Sequence, residues 1–174
     1  MEECYICGQE TENFIQHLQW HGVDVAEKTI LNAYQVACDV HGYCANRSDL
    51  VTQEAKFLVE QCIEMFENRD NKYDKLCVKF EEIGCLNGSS LCRLMHTVLN
   101  DKATWGRMLA LFTFAMRITN KISSTVLIQW LTHVYCFSER ARDFYVREWL
   151  QKQEKFMIKS EGNADEQWTN IKLY

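Results

Sequence analysis

Proline is absent from the 174 residues of this chain, and only 7 residues are glycine. Tight turns depend on these two residue types, so their scarcity disfavours a turn-rich β fold. The sequence also lacks a basic N-terminal region before an apolar stretch, and no uncharged apolar run approaches the ~20 residues of a membrane span. Because the stretch 160–174 is polar as well, we expect a cytoplasmic protein without a secretory signal or a transmembrane anchor.

Basic residues are also fewer than acidic ones. The chain has 19 basic and 24 acidic residues, which gives a formal net charge of −5. Nucleic-acid binding depends on a basic surface, so we expect no nucleic-acid partner. The 9 cysteines are an odd number and follow no signal peptide, which favours a reducing compartment over a disulfide framework. Most of them fall at apolar positions of helical patterns, where cysteine is a small buried hydrophobe.

What the sequence does contain is one strongly apolar segment, which runs from Met108 to Met116 without glycine, proline or charge. Its apolar residues cover every face of a helix, which indicates a helix buried in the middle of a bundle. Thr104 is expected to cap this helix through its hydroxyl group. Since 47% of the residues are apolar, the chain can bury a substantial core. The predicted fold is therefore all-α, a helical bundle around a buried central hydrophobic helix.

Apolar residues at helical spacing predict further helices on both sides of the central one. The predicted spans are 24–41, 51–66, 73–83, 91–99 and 126–135. Gly42 is expected to end the first helix, residues 46–49 to cap the second, Ser89 or Ser90 to cap the fourth, and Ser123 or Ser124 to cap the last.

The most specific pattern near the N-terminus is a pair of cysteines followed by a pair of histidines. Cys4 and Cys7 are separated by two residues, nine residues follow, and three residues then separate His17 from His21. Two thiolates on a turn and two imidazoles one helical turn apart can close a tetrahedral zinc site. The distance between the pairs is shorter than in the usual zinc finger. Phe14 and Leu18 are expected to form the small core behind such a site. The alternative is a cysteine-containing arm with a short amphipathic helix whose histidines face solvent.

The start of the central helix resembles a motif of a known family. Thr104-Trp105-Gly106-Arg107, followed by an Ala-x-Phe-x-Phe run at 110–114, is similar to the first homology motif of the apoptosis-regulating Bcl-2 family. That motif usually begins with Asn, and Thr104 keeps a capping oxygen at this position. Ala115-Met116 stand where the family often has Gly-Gly.

Two further stretches extend the resemblance to roughly residues 24–158. Trp149-Leu150-Gln151 lies at a similar distance after the first motif as the family's second homology motif, with Glu154-Lys155 in place of Gly-Gly and Phe156 in place of the second Trp. Leu58 stands where the BH-3 motif has its Leu, but Cys62-Ile63 replace the Gly-Asp pair. The missing pair disfavours a role as a killing ligand.

The resemblance implies a Bcl-2-like bundle that sequesters BH-3 helices of pro-apoptotic relatives in a hydrophobic groove and so inhibits apoptosis. In the family the motif Arg pairs with an Asp of the ligand, and here that residue is Arg107, beside Gly106, which admits the ligand backbone. The other implied groove residues are Trp105, Met65, Tyr73, Leu76, Leu94, Val98, Ala110 and Phe114. The degenerate motifs and the absence of an anchor are most similar to a virus-encoded pro-survival member, in the host cytosol or peripheral at mitochondria.

Several alternatives stay open at this point. The chain could be a zinc-binding helical adaptor or a pro-apoptotic Bcl-2 relative. It could also form a homodimer. His133 and Cys136 lie three residues apart on one predicted helix, but no third orienting residue is apparent, so we expect no enzyme. The predicted organisation is an N-terminal extension at 1–22, a helical body at 23–158 and a polar tail at 159–174.

Overall fold

The computed structural model describes residues 1–45, 52–67, 87–100, 102–138 and 151. Their helices are α1 (Phe14–Trp20), α2 (Glu27–Cys44), α3 (Gln53–Glu67), α4 (Gly88–Leu99), α5 (Trp105–Arg117) and α6 (Ser124–Phe137). A small antiparallel pair of strands, β1 (Glu2–Glu3) and β2 (Glu10–Thr11), precedes them. The all-α prediction is confirmed. The predicted helix at 73–83 and nearly all of the second homology motif lie outside the described residues.

Helix α5 lies at the centre of this bundle. Ten of its 13 residues are buried, and it packs against α3, α4 and α6. As predicted, the Thr104 hydroxyl accepts the backbone N–H of Arg107, at 3.2 Å, and so caps the first turn. The Trp105 ring stacks on Phe57 of α3 with centroids 5.4 Å apart. The stretch from Met108 to Ala115 carries no charge and is fully buried, because other helices cover it on several sides.

Helix α2 packs along α6, and polar groups tie both to α3. The Tyr135 hydroxyl of α6 donates to the Glu54 carboxylate, and the Asn32 amide of α2 donates to the same oxygen at 3.3 Å. Asp39 is buried on α2 and accepts the backbone N–H of Thr52, at 3.0 Å, just before α3 begins. These bonds satisfy polar groups that burial would otherwise penalise.

The predicted end of α2 is wrong. Helix α2 does not stop at Gly42 but continues to Cys44, with Val40 and His41 buried in its last turns. Glycine inside a helix costs only about 1 kcal/mol, which packing of neighbouring residues can offset. At the start of α3 the Thr52 hydroxyl accepts the N–H of Ala55 at 3.2 Å, while the predicted caps at 46–49 lie outside the described residues.

The cap of α4 also differs from the prediction. Asn87, and not Ser89 or Ser90, is the cap of α4. Its side-chain oxygen accepts the N–H of Ser90 at 2.9 Å, and the Ser90 hydroxyl accepts the N–H of Asn87 at 3.0 Å, which together form a capping box. Ser123 occupies the cap position of α6 as predicted, but without a side-chain hydrogen bond. Within the described ranges, none of the helices has the length and apolar character required to traverse a lipid bilayer.

Candidate functional site

The two cysteines of the N-terminal pattern lie in a tight turn between β1 and β2. The Cys4 N–H donates to the Gln9 carbonyl, and the Gly8 N–H donates to the Cys4 carbonyl, both at 2.8 Å. Gly8 closes the turn with a φ of +74°, a conformation that other residues rarely adopt. The chain thereby folds back so that Cys4 and Cys7 present their thiols to one point.

The two histidines lie on α1, which directly follows the strands. Asn13 caps this helix by accepting two backbone N–H groups of its first turn. Phe14 and Leu18 are buried, which confirms the small apolar core expected behind the pattern. His17 and His21 are four residues apart and therefore lie one turn apart on one face of the helix.

All four side chains converge. The Cys7 Sγ lies 3.2 Å from Nε2 of His17, the Cys4 Sγ lies 3.6 Å from Nε2 of His21, and the two Nε2 atoms are 3.1 Å apart. The four donor atoms lie within 4.8 Å of one another. Tetrahedral zinc with bonds of about 2.0–2.3 Å separates its donor atoms by about 3.3–3.8 Å. The cluster can therefore hold a metal ion, and in the part of the chain that the structure describes no other group of three ligands does so.

The electrostatics of the cluster also suit a cation. Burial raises the pKa of the Cys4 thiol, and backbone hydrogen bonds from Cys7 and Ile6 offset part of this rise. Burial, followed by repulsion from His17, lowers the pKa of His21. A divalent ion stabilises the thiolate forms of the cysteines and the neutral form of the histidines. The ion would thus supply the positive charge that makes thiolates favourable at this site.

Tyr5, which lies between the two cysteines, attaches this element to the bundle. Its N–H donates to the Gln129 side-chain oxygen of α6 at 2.9 Å, and the Gln129 amide donates to the Glu3 carbonyl at 3.1 Å. The Tyr5 hydroxyl forms a hydrogen bond with Nδ1 of His133, also on α6. Sequence reasoning missed both Tyr5 and Gln129. The signals were an aromatic residue within the cysteine turn and the one amide side chain of a mainly apolar helix.

The second predicted site is the start of α5, where Arg107 is partly exposed. Its Nη1 donates to the carbonyl oxygens of Val98, at 3.2 Å, and Lys102, at 3.0 Å. Over the described ranges these main-chain oxygens are the only partners of its guanidinium group. A cation in the first turn opposes the helix dipole, and no carboxylate of those ranges offsets it.

The other predicted groove residues lie mainly in the core. The buried ones are Trp105, Gly106, Met65, Val98, Ala110 and Phe114, whereas Leu94 is partly exposed. Tyr73 and Leu76 lie outside the described residues. In this arrangement Arg107 and Leu94 can touch a ligand without any repacking of the core, and the buried residues support them from beneath.

Helix α4 connects two regions of the molecule. One is the metal-ligand cluster, formed by Cys4, Cys7, His17 and His21, and the other is the surface around Arg107. At its first residue, Gly88, an added Cβ would lie only 2.3 Å from the Tyr5 carbonyl oxygen, so the two backbones touch. Near its other end, Val98 accepts the Arg107 hydrogen bond.

Comparisons of the chain with family models, curated proteins and solved structures give no match. The function is therefore inferred from these two sites.

Proposed function

We propose that this protein inhibits apoptosis by sequestering the BH-3 helices of pro-apoptotic Bcl-2 relatives on a Bcl-2-like helical bundle. The observation that carries the proposal is Arg107, partly exposed at the first turn of the buried helix α5 and bonded only to carbonyl oxygens of the described residues. A guanidinium group can bind a ligand carboxylate through two parallel hydrogen bonds. The ligand charge would also offset the unfavourable interaction of Arg107 with the helix dipole.

The surroundings of Arg107 suit an amphipathic helix. Val98 of α4 lies at the edge of the core and accepts the Arg107 hydrogen bond, and Leu94, one turn earlier on the same helix, is partly exposed. A bound helix contributes apolar anchors three or four residues apart, which pack on such a surface while its acidic residue meets the cation. The apolar anchors carry most of the affinity, and the ion pair selects the register.

We expect at least one BH-3 peptide to bind with submicromolar affinity in calorimetric titration, and Arg107→Glu to weaken that binding at least tenfold. The charge reversal removes a charge-assisted pair worth about 1–3 kcal/mol, and 1.4 kcal/mol corresponds to about a factor of ten. Lys121→Glu is the matched control, because Lys121 is an exposed cation beyond the opposite end of α5. Its affinity should equal that of the unmodified chain.

The two ways in which this experiment can fail have different meanings. Tight binding that is insensitive to Arg107→Glu would keep the partner class and refute the assigned site. The absence of binding to every peptide of a broad panel would refute the proposed function itself.

A second candidate function is favoured by the converging donor atoms of Cys4, Cys7, His17 and His21. We propose that these residues hold a structural Zn²⁺ ion and that the chain is a zinc-binding helical adaptor, an activity compatible with BH-3 binding. Two thiolates and two imidazoles form a closed tetrahedral set without a position for substrate, which is typical of structural zinc. The ion would fix the cysteine turn to α1.

Cobalt substitution tests the metal centre. We expect one equivalent of Co²⁺ to give the visible spectrum of a tetrahedral site with thiolate ligands, and zinc to displace it. Cys7→Ser should weaken binding by at least about a hundredfold, since even the outer-shell partners of metal ligands contribute about 10–100-fold. Cys44→Ser, at the far end of α2, is the matched control and should bind like the unmodified chain. An octahedral spectrum, or equal binding by both variants, would contradict the assigned ligands.

A further inference from the structure

Tyr5 makes contacts that link the metal-ligand cluster to two helices of the bundle. It is 6% exposed and lies between two of the four ligands. Its backbone N–H and its hydroxyl bind Gln129 and His133 on α6. Its backbone carbonyl lies against Gly88 at the start of α4, where an added Cβ would be only 2.3 Å from the carbonyl oxygen. One residue of the cysteine turn therefore contacts both helices.

The N-terminal element, residues 1–22, has little stability of its own. Its two strands are two residues long and α1 has only 7 residues. Isolated two-stranded hairpins are marginal in water, and isolated helices this short are not stable. The element therefore needs cross-links, and the structure shows two sets: the four converging ligands and the bonds of Tyr5.

A cavity lies between the N-terminal element and the bundle. It has a volume of about 300 Å³. Ile6 and His21 form part of its wall from the N-terminal side, and Cys92, His133 and Cys136 form part of it from α4 and α6. Cys136 is 3% exposed and Cys92 is partly buried. Any movement of the N-terminal element away from the bundle would widen the opening of this cavity to solvent.

We propose that metal occupancy controls exposure of this thiol-lined cavity through Tyr5. With the ion bound, the cysteine turn is fixed to α1 and Tyr5 is held against α4 and α6. When the ion is lost, the turn loses its shape, Tyr5 leaves its hydrogen-bond partners, and Cys92 and Cys136 become accessible to reagents. The inference rests on the proposed metal centre, and it makes the N-terminal element a metal-responsive cover rather than an inert extension.

The contacts favour local release over global unfolding. Four residues of the N-terminal element, Cys4, Tyr5, Phe14 and Leu18, are buried against the core, whereas ten of the 13 residues of α5 are buried among three helices. Elements with few buried apolar contacts open at lower free energy than the core. Cys62 provides an internal reference, because it is 1% exposed and its thiol faces the Leu109 carbonyl between α3 and α5.

Pulsed thiol labelling of the full chain, read out by mass spectrometry, tests this inference. Zinc-loaded and chelator-stripped samples are compared in a phosphine reductant, and metal content is measured on the same samples. We expect stripping to raise the labelling rates of Cys92 and Cys136 by at least about tenfold and to leave Cys62 unchanged. Tyr5→Ala should retain zinc and yet label Cys92 and Cys136 at the rates of the stripped protein.

Three results would overturn the inference. If the loaded sample contains zinc but stripping leaves the labelling of Cys92 and Cys136 unchanged, the metal-responsive cover is refuted and the metal centre is not. A parallel rise at Cys62 would show that the whole bundle opens. If Tyr5→Ala keeps both thiols protected while zinc is bound, Tyr5 does not link the metal centre to the exposure of the cavity. Failure of the metal centre itself would appear separately, as a lack of bound zinc in the loaded sample.

Discussion

Replacing Phe112 by alanine is expected to lower the free energy of unfolding by about 3–5 kcal/mol, measured by chemical denaturation. Phe112 is fully buried in the middle of α5, edge-on to Tyr135 of α6 with ring centroids 6.2 Å apart. Deleting the ring removes its apolar contacts and leaves a cavity. The neighbouring helices are held on several sides and can close that cavity only in part.

Phe137→Ala is the matched control, since it deletes the same atoms from the last residue of α6, where the side chain is 38% exposed. We expect this variant to lose less than half as much stability as Phe112→Ala. Comparable losses in the two variants would contradict the central role of α5 in the core. An unchanged dependence of the unfolding free energy on denaturant concentration in both variants would indicate that the comparison concerns stability alone.

The burial of α5 could be predicted from the sequence because the signal is local. Between Met108 and Met116 no face of the helix carries a charge, so solvent exposure of any face would be unfavourable. The cap at Thr104 could be predicted for the same reason, since the hydroxyl and the N–H that it accepts are three residues apart. Both features depend on residues close together in the chain.

Helix boundaries were harder to predict because several residues compete for each cap. Before α4, Asn87, Ser89 and Ser90 are all good caps, and the choice of Asn87 follows from its reciprocal bond with Ser90. At the start of α3, the buried carboxylate of Asp39 accepts the Thr52 N–H and helps to fix the boundary. That contact comes from another helix, so the residues around the boundary do not contain the information.

The metal-ligand cluster shows the same contrast between features set by nearby residues and features set by distant ones. Its four residues could be identified from spacing, because the turn and the helix that present them are both local structures. Its attachment to the bundle could not, because Tyr5 and Gln129 are 124 residues apart in the chain. A buried amide in an apolar helix indicates that a polar partner exists, but not where that partner lies. The attachment of the cluster to α6 thus depends on the tertiary fold.

The stability of the protein is expected to rise with the concentration of free zinc. A ligand that binds only the folded state stabilises it by RT ln(1 + [L]/Kd), which is about 4.1 kcal/mol at a thousandfold excess over Kd. The measurement is chemical denaturation in a series of metal buffers. The chain has 9 cysteines, and the unfolded state can also bind zinc through them, so the rise per decade of free zinc should fall below about 1.4 kcal/mol.

The same series separates a specific centre from adventitious binding. Cys7→Ser should need at least about a hundredfold more free zinc for the same stabilisation, because it removes one of the four donors of the cluster. Cys44→Ser should retain the full dependence, since it removes a thiol at the end of α2 and leaves the cluster intact. Full stabilisation that persists in Cys7→Ser would mean that the ion binds the folded chain without Cys7, and destabilisation by zinc in the unmodified chain would mean that the ion binds the unfolded chain better than the folded one. In either case the four converging side chains would not act as a structural metal centre.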